Sequence, residues 1–366
     1  MSVRIIQGDC RDVMPTLGAV DAIVTDPPYG LNFMGNGWDH GVPGVEFWLA
    51  ALRVAKPGAH LLAFGGTRTY HRLACAIEDA GWYIRDQIGW AFGSGFPKSH
   101  NGTWGGTALK PAWEPICVAR KPLVGTVEAN WLAHGTGALN IDACRVGDTV
   151  ETWPASRSYA PGQMQPGHSG KTQGAGDAPA GRWPANLIHD GSEEVLACFP
   201  DAPGQQRTVG PEHGQKASVN VFGDYGARDT FNPRGDTGSA ARFFYCAKAD
   251  SSDRNDGLRG MAKRKQDESR KPGNPGGDNP RNRGVHERTN HHPTVKPTDL
   301  MRYLCRLVTP KGGTVLDPFM GSGSTLKAAE LEGLSVIGIE IDPEYCEIAR
   351  RRVASDAPLF AEVSHG

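Results

Sequence analysis

Gly313-Thr314-Val315-Leu316-Asp317-Pro318-Phe319-Met320-Gly321-Ser322-Gly323-Ser324-Thr325 is the stretch whose reading decides the fold. A short apolar run closed by an acid, a Gly-rich turn and a helix opening at Ser324-Thr325 is how doubly wound α/β folds present a cofactor site. Gly321 and Gly323 let the backbone pass close to a ligand, and the helix N-terminus adds free N–H groups and a favourable dipole end. No Gly-Lys-Ser/Thr follows, so the turn is not a P-loop. It also departs from the G-x-G-x-x-G of dinucleotide sites, because Asp317 at the start of the turn would repel a pyrophosphate. An acid there suits a cofactor with a cationic amino group. A second apolar run, Ser335-Val336-Ile337-Gly338-Ile339, ends at Glu340. That acid stands roughly 20 residues past the turn, where ribose hydroxyls are bound. Amino group, ribose and no phosphate describe S-adenosylmethionine; the bland alternative is an ordinary Gly-rich βα turn.

Near the other end of the chain, Ala22-Ile23-Val24-Thr25 runs into Asp26-Pro27-Pro28-Tyr29. An exocyclic amine on a nucleobase is a poor nucleophile because its lone pair is delocalised into the ring. Acceptors that hold its N–H groups can draw that lone pair out of conjugation. The Asp26 carboxylate and the Pro27 carbonyl are two such acceptors, and consecutive prolines restrict the backbone that carries them. Tyr29 offers a flat face for a base, worth about 1–3 kcal/mol per stacked base. A strand ending in a Pro-Pro turn over a buried Tyr is the alternative for these four residues alone.

Taken as a set and in this order, the motifs resemble the β class of S-adenosylmethionine-dependent DNA amino-methyltransferases, the N6-adenine/N4-cytosine family. Ile5-Ile6-Gln7-Gly8-Asp9-Cys10 is similar to the family's opening strand. His292-Pro293-Thr294-Val295-Lys296-Pro297 is similar to the segment before its cofactor-loading helix, and Asp342-Pro343-Glu344-Tyr345 continues past the ribose acid as the family does. The resemblance covers residues 3–122 and 290–354. It implies catalytic roles for Asp26, Pro27 and Tyr29. It implies cofactor contacts at Asp9, Asp26, Lys296, Asp317, Phe319, Gly321, Gly323, Ser324, Thr325 and Glu340, with S-adenosylhomocysteine as product. Site-specific transfer to duplex DNA after base flipping is the implied reaction, with a second copy or a cognate restriction endonuclease as further partners. In the family D-P-P-Y is commoner in adenine-N6 enzymes and S-P-P-Y in cytosine-N4 enzymes, so N6-adenine is the expectation and N4-cytosine the alternative. Cytosine-C5 chemistry needs a Cys nucleophile beside Pro, and no Pro-Cys dipeptide occurs. RNA methylation and a non-catalytic DNA-binding module are the remaining readings; the motif order and the long middle region weigh against the first, and intact Asp26, Tyr29, Asp317 and Glu340 against the second.

Composition bounds the answer without opposing it. A chain of 366 residues that is 39% hydrophobic has ample material for one α/β domain with a sizeable insertion. Eight scattered cysteines without a C-x-x-C pair argue for a reduced, cytoplasmic protein with neither a disulfide framework nor a Cys-rich zinc site. His286, His291 and His292 lack matching ligands at metal spacing, so no metal is expected. No early apolar stretch reaches signal or membrane-span length.

The periodicity predicts strands at 3–8, 22–25, 60–64, 82–92 and 114–119, and helices over about 44–56 and 69–80. Lys56-Pro57-Gly58 reads as the stop of the first helix. Toward the other end, an amphipathic helix over 296–308 precedes strand, helix (324–332), strand and a final helix over 343–354. Each end is an incomplete α/β half. The expected fold is therefore α/β: a single mixed, mostly parallel, Rossmann-like methyltransferase sheet with circularly permuted motif order and an inserted, loop-rich target-recognition region. The halves are 1–123 (catalytic) and 290–355 (cofactor-binding), with the insertion at 124–289 and a tail at 356–366. Asp26 and Asp317 should lie at neighbouring strand ends on one rim.

Within 124–289, three polar stretches (156–181, 204–215 and 257–290) separate short ordered islands around 182–199 and 241–248. Residues 254–288 lean basic, and Arg259, Lys263, Arg264 and Lys265 are candidates for neutralising DNA phosphates. A solvated charge run is the alternative. Phe96 and Lys98, in the Gly-rich loop 93–102, are candidates for bracing the space that a flipped base leaves; for Phe96 the default is a buried loop anchor.

Overall fold

The computed structural model describes residues 2–31, 41–95, 102–150, 180–203, 218–220, 223–225, 236–248, 252–265, 287–356 and 363–365. They divide into two units. The larger takes in 1–143, 186–192 and 246–366, the smaller 144–185 and 193–245.

The larger unit is built on a ten-stranded sheet. From Leu187–His189 onward, the strands run in spatial order Leu187–His189, Tyr83–Ala91, Trp113–Arg120, Ala55–Phe64, Val20–Thr25, Thr314–Asp317, Ser335–Glu340, Val3–Gln7 and Val363–His365. The strands from Ala55–Phe64 to Val3–Gln7 are parallel throughout. Trp113–Arg120 runs antiparallel to both of its neighbours, Ala55–Phe64 and Tyr83–Ala91. The sheet is thus mixed and mostly parallel. Thr314–Asp317 and Ser335–Glu340 lie between Val20–Thr25 and Val3–Gln7, so the two sequence-distant halves complete one another's sheet edge. Val315 is in register with Ala22 and Leu316 with Ile23.

Parallel strands buried on both faces read as continuous apolar runs, and every residue of Val20–Thr25 is buried. Ile23, Leu61, Ala63, Cys117, Ala119, Leu316, Ile337 and Ile339 point to one face. There they share a core with Met14, Trp48, Val54, Leu73, Ile77 and Trp82, carried by the helices Val45–Val54 and Tyr70–Asp79 and their flanks. The indole N–H groups in this core are satisfied: Trp82 donates to the Trp48 carbonyl (2.9 Å) and Trp48 to that of Pro43 (3.1 Å). The strongly amphipathic helix Thr298–Val308 buries Leu300, Met301, Leu304, Leu307 and Val308, and it packs against the helix Ser324–Leu331.

Most predicted elements appear within a residue or two of their expected bounds. The strand Ala55–Phe64 is the main exception: the helix before it stops at Val54, as Lys56-Pro57-Gly58 predicts, but the strand expected from residue 60 starts at Ala55 and takes in that tripeptide. Lys56 pairs with Asp21 (2.6 Å), and the Pro57 carbonyl accepts from Asn130 Nδ2 (2.9 Å) and Thr136 Oγ1 (2.5 Å). Distant side chains thus satisfy the backbone carbonyl at this proline. Within the island expected around 182–199, Glu193–Leu196 forms a single helical turn.

In the smaller unit, Val146–Val150 pairs antiparallel with Ala180–Arg182. Asp236 accepts from Arg182 and from Arg242 Nε (2.8 Å), and both guanidinium groups lie over the Phe243 ring. Phe199 packs on Phe244. Among the described residues no helix is long and apolar enough to cross a membrane, and no group of His, Cys, Asp and Glu is arranged to hold a metal ion.

Candidate active site

Two adjacent parallel strands end together at the site. Val20–Thr25 delivers Thr25 and then Asp26, and Thr314–Asp317 delivers Asp317. The Thr25 hydroxyl donates to Asp317 Oδ1 at 2.6 Å, tying the two strand ends across 292 residues of sequence. Asp317 is buried and also accepts from the backbone N–H of Phe319 (3.1 Å) and from the Thr325 side chain. Burial pushes its carboxyl up to about 6, against the pull of those hydrogen bonds.

Beside it, the Ser335–Glu340 strand presents Glu340. One carboxylate oxygen accepts from the Gly321 N–H and the other from the Asp342 N–H, both at 2.9 Å. Glu340 therefore holds the Gly-rich turn as well as facing the rim, and burial raises its pKa. Gly321 has φ +51° and Gly323 φ +80°. A Cβ on Gly321 would meet His292 Nε2 at 2.7 Å, and one on Gly323 would meet Ala349 Cβ at 2.8 Å. Both glycines are thus required by protein packing and by backbone conformation, a reason separate from the ligand approach that the sequence suggested. His292 stacks edge-on against Tyr345, and burial lowers its pKa to about 4.

The turn is also held from behind. Arg352 is fully buried; it donates to the Ser322 carbonyl (2.6 Å), to Ser322 Oγ (3.1 Å), to Ser324 Oγ (3.3 Å) and to the Asp253 carbonyl (2.9 Å). Asp253 in turn accepts from the N–H of Thr298, and Asp256 pairs with Lys327 (2.5 Å). Asp253 and Asp256 therefore tie together the helices Thr298–Val308, Ser324–Leu331 and Pro343–Asp356. No sequence signal marked Arg352 or Asp253.

Tyr29 donates to Asp26 Oδ1 at 2.7 Å, and its carbonyl accepts from Thr69 (2.7 Å). Lys296 stands among these groups. Its ammonium is 3.2 Å from Asp26 Oδ2, 3.0 Å from Tyr29 Oη and 2.8 Å from Glu114 Oε2, with the Phe64 ring 4.7 Å away. Burial opposes the Lys296 charge, but Asp26 and Glu114 outweigh it and the pKa is raised. Burial and the Asp26 charge raise Tyr29 well above the usual phenol range. Glu114 is the residue that sequence reasoning missed. It is the second residue of the one antiparallel strand in the middle of the sheet, so its N-terminal end arrives at the rim where the parallel strands finish. The available signal was an acid at the edge of an apolar run; the strand's direction was not readable.

The other expected residues are placed as follows. Pro27 is buried in the turn after Asp26. Phe319 packs with Phe47 and Trp48. Asp9 caps the helix Cys10–Val13 and pairs with Arg11 at 2.6 Å, which holds its carboxyl below the usual range. Arg259 and Lys263 are exposed. Arg264 already pairs with Glu344 (2.6 Å), and Arg264–Lys265 is a strand paired with Glu287–Arg288. Phe96 and Lys98 lie outside the described residues.

With this geometry in place, comparison with known proteins decides the family: the family model of the N6/N4 DNA methylases matches residues 20–351. The chain belongs to that family. Among curated relatives of this methylase-family chain, the type II methyltransferase M2.DpnII of Streptococcus pneumoniae is 42% identical over 65 residues, 18% of this chain and 24% of that protein. The DNA adenine methyltransferase YhdJ of Escherichia coli is 38% identical over 85 residues, 23% of this chain and 29% of that protein. These matches span about a quarter of the relatives' length. Among solved structures, the cytosine-N4-specific PvuII DNA methyltransferase superposes with a TM-score of 0.46 at 13% identity, covering 96% of this chain and 86% of that one.

Proposed function

We propose that the protein transfers a methyl group from S-adenosylmethionine to the exocyclic N6 of adenine at specific sites in duplex DNA, after the base is flipped from the stack. The observation that carries this reading is the Thr25–Asp317 hydrogen bond, which fixes Asp26 and the cofactor turn at one rim. The residues there fit the cofactor. Asp317 and Glu340 are buried acids whose charge burial disfavours, so the rim suits a cationic amino group and a ribose diol and would reject a pyrophosphate. When bound, S-adenosylmethionine supplies a methyl activated by its sulfonium. Asp317 would hold the amino group, and Glu340, with lone pairs left beyond its two backbone bonds, would hold ribose hydroxyls.

Asp26 and the Pro27 carbonyl hold the two N–H bonds of the target amine. The lone pair is thereby drawn out of conjugation with the ring and left available as a nucleophile. Asp26 is placed to receive the proton that the nitrogen then sheds. The adenine reading rests on Asp26 at the head of D-P-P-Y; Asp and Ser hold the same kind of N–H, and cytosine N4 is the competing acceptor. Incubation with methyl-labelled S-adenosylmethionine and duplex DNA, followed by nucleoside separation, tests both. Label in N6-methyldeoxyadenosine is expected; label in N4-methyldeoxycytidine moves the assignment to cytosine, and none in DNA refutes the proposal.

A further inference from the structure

The polar cluster at the catalytic turn brings two carboxylates, Asp26 and Glu114, to one ammonium. Lys296 has three N–H donors, and they meet Asp26, Tyr29 and Glu114, the shortest contact being to Glu114 at 2.8 Å. All three ionic side chains are largely shielded, with 7% of Lys296, 19% of Asp26 and 23% of Glu114 exposed. Neutralising Lys296 would take one carboxylate, and Asp26 could do that alone. A second shielded carboxylate raises the electrostatic cost of the site unless it has work of its own.

That work follows from what Asp26 must do. A carboxylate that gives its charge wholly to an ammonium is a weak acceptor for a neutral amine, and the reaction depends on Asp26 withdrawing the amine's lone pair from its ring. Glu114 competes for the same ammonium and lies 3.5 Å from the Tyr29 hydroxyl, the other donor to Asp26. It therefore offers a second berth to both groups that occupy Asp26. We infer that Glu114 is a positioning residue for catalysis: it holds the Lys296 ammonium and leaves the Asp26 carboxylate able to engage the target amine. Without it, Lys296 closes on Asp26 and the acceptor is spent before the base arrives.

This inference rests on the proposed methyl transfer, and the test separates the two. Full-length Glu114→Gln, Glu114→Asp and wild type are compared in single-turnover transfer from labelled S-adenosylmethionine to mixed-sequence genomic DNA. S-adenosylhomocysteine affinity and thermal midpoint are measured alongside. Expected for Glu114→Gln is a transfer rate lower by about tenfold or more. Its S-adenosylhomocysteine affinity should stay within about threefold of wild type and its midpoint should be unchanged; Glu114→Asp, which keeps the charge, should recover part of the rate. A Glu114→Gln rate within about threefold of wild type overturns the inference. So does a rate loss matched by an equal loss of S-adenosylhomocysteine affinity or of thermal stability, because that is the signature of a merely structural carboxylate. If wild type methylates no DNA, the proposed function fails and the role of Glu114 fails with it.

Discussion

Asp317 should make cofactor affinity depend on pH in a window where ordinary carboxylates are silent. Burial lifts its pKa to about 6, and only the ionised form can pair with a cationic amino group. From pH 8 to pH 5 the ionised fraction of such a group falls from about 99% to about 10%, which weakens binding by roughly tenfold, or about 1.4 kcal/mol. Glu340, also raised by burial, acts in the same direction, whereas His292 titrates near 4 and stays neutral across this range. Isothermal titration with S-adenosylhomocysteine, which keeps the amino group, reads the effect directly. Asp317→Asn should bind more weakly at pH 8 by about 1.5–3 kcal/mol, the worth of a charge-assisted hydrogen bond, and should show a shallower pH slope. The ligand-free protein should show the opposite trend. A folded-state pKa above the unfolded value of 3.8 contributes stability that is present below that value and lost as pH rises through about 6. Asp317→Asn should therefore raise the ligand-free thermal midpoint at pH 8, with the gain vanishing near pH 4. A wild-type affinity that is flat from pH 8 to pH 5, or an Asp317→Asn slope equal to wild type, would refute the reasoning.

Asp26→Ala should abolish transfer while S-adenosylhomocysteine affinity, measured by titration, stays close to wild type; equal loss of both would remove Asp26 from the catalytic role. Arg352→Met should destabilise the fold by about 3 kcal/mol, because burying carbonyl and hydroxyl groups without their charged donor is expensive, and should also loosen cofactor binding; denaturant unfolding and titration read these two effects. Replacing exposed Arg259 and Lys263 with Ala should weaken DNA binding about equally for all sequences and flatten the slope of log affinity against log salt by about 2. Loss of sequence preference instead would refute phosphate contacts. Arg264→Ala should matter less to DNA affinity, since Glu344 already engages that side chain, and gel-shift titration at two salt concentrations checks it.

The two motif turns were legible because each is written locally: an apolar run, an acid where the strand leaves the sheet, and residues that force a turn. That Asp26 and Asp317 meet followed from two half-domains each lacking a sheet partner. Glu114 was not legible, because its importance depends on the direction of one strand, and alternation along a run is the same read either way. Lys56-Pro57-Gly58 did mark the end of the helix at Val54, but not that the next strand starts at Ala55, because the side chains that hold this stretch, Asp21 on Lys56 and Asn130 and Thr136 on the Pro57 carbonyl, are distant in sequence. Arg352 and Asp253 show the same limit, because a buried guanidinium held by carbonyls leaves no pattern in the sequence on either side of it.

The placement of Thr314–Asp317 and Ser335–Glu340 between Val20–Thr25 and Val3–Gln7 also bears on biosynthesis. Val3–Gln7 and Val20–Thr25 cannot pair with each other, because the gap between them is filled only by strands made some 290 or more residues later. For most of translation the growing chain carries Asp26 on an unfinished sheet edge with no donor site beside it, and assembly waits on contacts of very long sequence separation. On the proposed function, no nascent fragment lacking Thr314–Asp317 and Ser335–Glu340 should be able to methylate. Protease sensitivity of ribosome-stalled chains should drop sharply only once residues 335–340 have emerged; protection of chains stalled before residue 314 would contradict this order.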